Sequence, residues 1–522
     1  MDRTTDRLAG LTIPLFSLRS DRSMGIGEIT DLAAAGALAR RAGLRLIQLL
    51  PIGELAGSET SPYGALSAFG IDPSYIGWAS EPDVPAGLFD ELRPALDALQ
   101  ASAEVDYAGV RALKGRLLDA AWREFSAHHI VQDTPRARDF ATFVRLHGDW
   151  LWDLSLFRAI KDDRGGAPWW EWPAGLRDRD ATQLEHAAAR LRDAIQRQHY
   201  AQWIAHAQWA AARESLRALA VGLMGDLPFM VGRDSADVWS KREEFRHDAS
   251  VGVPGDQFSE DGQEWGLPPY NWPVMRANGF RWLRARARYA GLLGDRFRVD
   301  HLVGFYRTYS RALDRLRSPA GRLLPGHFDP PTEPEQLVHG EAVLRAMMEG
   351  AAENGARVIA EDLGVIPDFV RPSLQRLGIP GYKVLRWEQD HGQFRDPKAY
   401  PSVSVACFGT HDTDPVASWW SAMPAWEREA AARAFRAPST SPAWSDGVHE
   451  ALLDALLGAA SGLVLLMWQD VLGTLDRINT PSTVGAHNWT WRMPATLEAT
   501  LSAPTLRPAL DRARAAVERA GR

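Results

Sequence analysis

The sequence predicts a (β/α)8 barrel, the TIM barrel fold, carrying inserted, mostly helical subdomains, and three observations lead there. Eight short apolar runs of strand length recur along the 522 residues, each closed by turn or polar residues. Several are almost uninterrupted in apolar character, as expected for strands buried on both faces of a parallel sheet. Helical patterns fill the intervals between them. The first run, LTIPLF at 11–16, precedes an Ala/Leu-rich helical pattern over 30–42. The second, LRLIQLL at 44–50, is followed by about 170 residues before the third, far more than one crossover helix needs. An inserted subdomain, 53–215, is therefore expected there. Val110, Leu113, Leu117, Ala121 and Phe125 share one helical face within it, as do Phe140, Val144 and Leu151. The third run, GLMGDLPF at 222–229, leads into a second insertion, 241–282, whose Gly, Pro, Asp and aromatic content predicts a long ordered loop near a site. FRVDHLV at 297–303 and VIAEDL at 358–363 are the fourth and fifth runs, and a helix over 368–377 follows with Pro367 near its start. YKVLRW at 382–387, VSVACF at 403–408 and LVLLMW at 463–468 complete the eight, and Asp414-Pro415 reads as a helix cap followed by proline at the first helical position. Residues 508–522 read as a terminal helix, and the chain 1–522 as one barrel unit.

Composition narrows the function classes. Hydrophobic residues are 45% and charged residues 24%, so a large ordered core is expected. The 59 Lys and Arg against 66 Asp and Glu give a net charge of −7, which speaks against nucleic acid as a partner. Cys407 is the only cysteine, so no internal disulfide and no multi-cysteine metal site is expected. The N-terminal MDRTTDRLAG lacks the apolar stretch of a signal peptide, and the longest uncharged apolar run, 455–468, is shorter than the roughly 18 residues a membrane span requires. No membrane association and a cytoplasmic location are expected. The chain holds 21 Trp against 10 Tyr, several in polar surroundings such as Trp169, Trp170 and Trp172. Such rings stack either on the C–H face of a sugar or on other side chains.

In a (β/α)8 barrel the reacting groups gather at the C-terminal strand ends, so acidic residues closing an apolar run are the candidates. They are Asp226, Asp300 with Arg298 and His301, Glu361 with Asp362, and Asp412 with His411. Carboxylates without metal ligands point to glycosyl transfer with retention, which needs one ionised nucleophile and one protonated acid/base about 5 to 5.5 Å apart. Asp300 suits the first role, because Arg298 lies two residues earlier on the same face of a strand and would hold it ionised. The same pair reads alternatively as a structural ion pair inside the barrel. Glu361 suits the second role, since burial and a neighbouring carboxylate raise a carboxyl pKa. Asp412 would accept hydrogen bonds from ring hydroxyls, Asp362 would brace its strand end, and Asp234 reads as a cap or turn residue. No HxxxH pair, GxGxxG or P-loop is present, so neither metal nor organic cofactor is expected, and Lys383 reads as structural.

These residues sit in strings that resemble a known family. SPYGALSAF (61–69), GDLPFMVGRDSADVW (225–239), GVPGDQFSEDGQEWGLPPYNW (252–272), FRVDH, VIAEDLG, GTHDTD, QDVLG (469–473) and RINTPSTVGAHNWTWR (477–492) occur in the order found in 4-α-glucanotransferases, the amylomaltase or disproportionating-enzyme family, glycoside hydrolase family 77. The resemblance implies a barrel without a C-terminal β-sandwich. It also implies retaining transfer of an α-1,4-glucan segment from a maltooligosaccharide donor to the 4-hydroxyl of glucose or another glucan. It places the nucleophile on Asp300, the acid/base on Glu361 and the transition-state-stabilising carboxylate on Asp412. By the same matching Tyr63, Arg298 and His411 contact the sugar, Asp226 is a further polar contact, Gln263 and Trp265 belong to a loop over the cleft, and Asn479 lies after the last strand. The chain departs from the family pattern at Gly64, at Leu267 and at Ser482, all in binding loops. An α-glucan hydrolase using the same carboxylates is the alternative reading.

Overall fold

The ring of strands closes on itself. In the computed structural model, which describes residues 7–57, 59–255, 260–481, 483, 485 and 487–522, eight parallel strands form a barrel. They are β1 (Leu8–Thr12), β2 (Leu46–Gln48), β3 (Gly222–Leu227), β4 (Arg296–Val299), β5 (Arg357–Ala360), β6 (Gly381–Val384), β7 (Ser404–Cys407) and β8 (Leu463–Met467). β8 pairs with β1 from Leu8↔Leu463 to Thr12↔Met467, which completes the circle. Each coincides with one of the eight apolar runs, although β1 is displaced toward the N-terminus. Pro14 explains the shift: Ile13 donates the last ladder bond, to the Gln48 carbonyl at 3.0 Å, and proline has no N–H to continue it. The chain turns instead into a 3-10 turn at Leu15–Ser17.

Inside the barrel Leu46, Met224, Ile359, Tyr382, Val405, Cys407 and Leu465 pack as one cluster. Burial there pushes the Cys407 thiol up to about 12. Two larger clusters fill the space between the barrel and its helices. Helices Leu32–Arg41 and Val370–Leu377 occupy the positions the sequence predicts for them, and the C-terminal helix spans Arg507–Arg519.

Between β2 and β3 the chain is largely helical, with Leu88–Ala101, Tyr107–Phe125, Pro135–Leu146, Gly148–Asp163 and the long return helix Arg192–Ala218. Val110, Leu113, Leu117, Ala121 and Phe125 are all buried, on one face of Tyr107–Phe125. Asp106 caps that helix by accepting from the Gly109 N–H at 2.9 Å. Lys114, on the same helix, is buried against Glu28 at 2.6 Å and also donates to the carbonyls of Ser74 and Ile76. This pair joins the helical segment to the loop after β1, and truncating one partner strands the other charge in a dry site. Lys114→Met is expected to lower the unfolding free energy by about 3 to 5 kcal/mol, read from the midpoint of urea denaturation.

The segment 241–282, expected as a loop, instead contributes two strands, Ala249–Val253 and Gln263–Glu264. They pair antiparallel with each other and, through Ala249–Val253, with Thr308–Ala312, which in turn pairs with His327–Asp329. The partner strands lie beyond β4, and a two-residue edge strand carries no periodicity to read. Residues 256–259 of that segment lie outside the described residues. Trp169 and Trp172 are buried, their indole N–H groups bonded to the carbonyls of Arg233 and Ala167, so their faces serve internal packing; Trp170 is partly exposed.

Candidate active site

Strand register assembles the site. β3 and β4 run side by side with Asp226 opposite Arg298, and β4 and β5 with Val299 opposite Ala360. The next residues along these last two strands are Asp300 and Glu361, so parallel pairing sets the two carboxyl groups at adjacent strand ends. Their backbones stay in the ladder, with Asp300 N–H donating to Leu227 O and Glu361 N–H to Val299 O, each at 3.0 Å.

Arg298 organises the floor. Its Nη1 donates to both oxygens of Asp226 at 2.9 and 2.7 Å, and its Nη2 to Asp300 Oδ1 at 2.6 Å. The Asp226 side chain has 0% exposure and Asp300 29%, so Asp226 stands behind the guanidinium while Asp300 faces the cleft. Burial raises the Asp226 pKa against the opposing pull of Arg298. Tyr63 completes the group by donating to Asp226 Oδ2 at 2.8 Å.

Glu361 has a different environment. Its Oε2 accepts from the His301 N–H at 2.7 Å and its Oε1 from the Leu363 N–H at 3.2 Å. Burial is the largest influence on this carboxyl and pushes it up to about 8; Asp300 adds to the rise, while Arg298 and the two N–H donors oppose it. His301 reaches Glu361 through a left-handed backbone, φ 43°, a conformation that non-glycine residues seldom adopt and that recurs at functional sites. Its ring is fixed between Trp265, at 5.1 Å between centroids, and Phe229, at 5.5 Å. Gln263 Oε1 accepts from the Trp265 indole at 3.0 Å.

The opposite wall comes from the loops after β7 and β8. Asn479 Nδ2 donates to Asp412 Oδ1 at 2.6 Å, and His411 Nε2 lies 3.4 Å from Asp412 Oδ2 and 3.1 Å from the Tyr63 hydroxyl. The Asp412 side chain is 39% exposed, open to the cleft. The rings of Tyr63 and His411 stack, and Trp489 packs against both at 5.8 and 5.7 Å. Trp489 itself has a left-handed backbone, φ 66°, and its carbonyl accepts from the Tyr107 hydroxyl at 2.8 Å.

The residues singled out in the sequence thus form one connected set: Tyr63, Asp226, Arg298, Asp300, His411, Asp412 and Asn479 through direct bonds, Glu361 through His301, and Trp265 and Gln263 through the His301 ring. Trp489 and the His301 N–H were not foreseen, because neither carries a charge or a periodic signal. Asp414 does not cap the helix Val416–Ala422: the Val416 N–H is taken by Asp470 Oδ1 at 2.8 Å, and Asp414 pairs with Arg477. Asp362 braces its strand end by accepting from the Tyr382 N–H at 2.6 Å, Asp234 pairs with Lys161, and Lys383 pairs with Glu388. Gly64 leaves room for Glu59, whose Cγ would sit 2.9 Å from a Cβ there. Leu267 lies in the described loop and its carbonyl accepts from the Val251 N–H at 2.8 Å, whereas Ser482 lies outside the described residues. Among the described residues no three of His, Cys, Asp and Glu are grouped to hold a metal ion, and no helix is long and apolar enough to cross a membrane.

Comparison with known proteins identifies relatives of the chain over most of its length. The 4-alpha-glucanotransferase of Chlamydia pneumoniae is 30% identical over 505 residues, covering 94% of this chain and 92% of that protein. The 4-alpha-glucanotransferase of Thermus thermophilus is 32% identical over 475 residues, covering 87% and 88%. Among solved structures, an amylomaltase from Streptococcus agalactiae in complex with acarbose superposes with a TM-score of 0.81 at 25% identity, over 99% of this chain and 100% of that one. The amylomaltase of Corynebacterium glutamicum shares the fold with a TM-score of 0.79 at 21% identity, over 98% and 75%. With residues 13–498 matching the family described as 4-alpha-glucanotransferase, the chain belongs to glycoside hydrolase family 77, a family of glucan-transferring enzymes.

Proposed function

We propose that the chain moves a segment of an α-1,4-glucan to the 4-hydroxyl of glucose or another glucan by a double displacement through a glycosyl ester of Asp300. The free oxygen of Asp300 attacks the anomeric carbon as the bond to the leaving 4-oxygen breaks, and Glu361 gives that oxygen its proton. The acceptor 4-hydroxyl then attacks the same carbon, returns its proton to Glu361 and frees Asp300, so the configuration is retained. Asp412 accepts hydrogen bonds from the ring hydroxyls of the strained sugar, His411 and Tyr63 line its edge, and Asp226 acts through Arg298 and Tyr63. Trp265 and Gln263 belong to the loop over the cleft, whose closure keeps water from the ester.

The observation that carries this reading is the contrast between two adjacent carboxyl groups. Asp300 is bonded to a guanidinium at 2.6 Å, while Glu361 is buried and pushed up to about 8. A carboxylate bonded to a guanidinium beside a buried carboxyl that keeps its proton supports Asp300 as the nucleophile and Glu361 as the acid. Incubation with maltotriose tests it: longer maltooligosaccharides without a net gain in reducing ends are expected. Glucose and maltose with rising reducing ends would mean that water is the acceptor.

A pH profile follows with a definite sign. Glu361 must enter the reaction protonated, and its pKa is raised, so the protonated form persists through neutrality and is lost above about 8. kcat/KM for maltotriose is expected to hold near pH 7 and to decline tenfold per pH unit at higher pH. A decline already complete by pH 6 would remove Glu361 from the acid role.

A further inference from the structure

The loop after β8 carries an arginine that the reaction scheme leaves unused. Arg477 donates from Nη2 to the Asp412 carbonyl at 2.7 Å, from Nε to the Asn479 carbonyl at 2.7 Å, and from Nη1 to Asp414 Oδ1 at 2.7 Å. A planar guanidinium spanning three acceptors fixes their relative positions in a way a single ammonium cannot. The acceptors belong to two loops 63 to 67 residues apart in sequence, after β7 and after β8. What these loops exchange at the cleft is the bond from Asn479 Nδ2 to Asp412 Oδ1.

A second arginine shows the division of labour. Arg386, buried beneath the same β7 loop, donates to the carbonyls of Phe408 at 2.8 Å and Asp414 at 2.7 Å, which anchors the loop to the barrel. Arg477 bonds the same loop, at Asp412 and Asp414, from the β8 loop instead of from the barrel. Its side chain is 31% exposed, at the rim, and it ties the tip of the β7 loop to the β8 loop.

We propose that Arg477, braced by Asp414, is a positioning residue that locks Asp412 against Asn479 so that Oδ1 is held by Asn479 and Oδ2, beside His411, is aimed at the bound sugar. The inference rests on the reading of Asp412 given above. Loss of the clasp lets the two loops separate at the rim; the carboxylate then loses its aim during bond breaking more than it loses hold of the ground-state sugar.

Arg477→Ala, Arg477→Lys and Asp414→Asn are to be assayed on maltotriose beside wild type, with the thermal midpoint of each recorded. kcat of Arg477→Ala is expected to fall about 100-fold, the scale of a misplacement of about 1 Å, with KM within about threefold of wild type and the thermal midpoint held. Arg477→Lys keeps the charge but not the fork and is expected to recover only part of kcat. Asp414→Asn lowers kcat in the same direction by less. Any other split overturns the proposal: unchanged kcat, a loss carried by KM, or a loss that tracks the thermal midpoint equally in the Ala and Lys variants. Asp412→Asn, assayed in parallel, separates the two readings. Wild-type turnover there removes the role of Asp412, whereas a dead Asp412→Asn beside a fully active Arg477→Ala removes only the clasp.

Discussion

Asp300→Asn is expected to lower transfer from maltotriose by on the order of 10^4-fold or more, as loss of a covalent nucleophile does, with the fold intact. Asparagine has the shape of aspartate, and its amide oxygen can still take the bond from Arg298 Nη2 that Asp300 Oδ1 accepts at 2.6 Å. It cannot form the glycosyl ester. The buried guanidinium also keeps a counter-charge, because Asp226 remains against it at 2.7 Å. The check is a maltooligosaccharide ladder together with a thermal melt: an unchanged melt and no ladder is the expected pair. A ladder at near wild-type rate would place the nucleophile elsewhere.

Arg298→Met is expected to remove both activity and stability. Arg298 is 4% exposed and is the cation between two carboxylates, so truncation leaves Asp226 buried without its partner. Breaking a buried pair from one side costs about 3 to 5 kcal/mol. Arg298 also opposes the rise in the Asp226 and Glu361 pKa values, so its removal raises both further. The variant therefore becomes less stable as pH increases through the range where Asp226 would ionise, because the folded state holds that proton more tightly than the unfolded chain. Urea midpoints at pH 5 and pH 8 test the sign: the deficit relative to wild type is expected to be larger at pH 8. An equal deficit at both values would mean that the charge of Asp226 does not set it.

The barrel was legible because its strands are apolar on both faces, so β2, β3 and β8 stand out as runs that no surface element would carry. The placement of Asp300 and Glu361 was legible for a related reason, since a charge that closes such a run comes to lie at a strand end. Partnerships made across long sequence distances were not legible. Asp414 reads locally as a cap, yet Asp470 comes from 54 residues downstream to take the Val416 N–H. The strand Ala249–Val253 finds its partner beyond β4, and Trp489 gains its place from Tyr107, 382 residues away. Local pattern shows what a residue can do; these positions were decided by which neighbour arrives in space.

That last contact ties the wall of the cleft to a part of the chain made after every barrel strand. The barrel is complete once β8 has been made, yet the wall behind Tyr63 and His411 waits for Trp489 and the strand-like bridge between Glu104 and Trp491. Met493 and Leu497 then bond to the Ser17 and Arg19 carbonyls near the start of the chain. Contacts between residues so far apart in sequence carry a large loop-closure cost. A chain ending after β8 would hold every barrel strand and both carboxyl groups yet lack Trp489 against Tyr63 and His411.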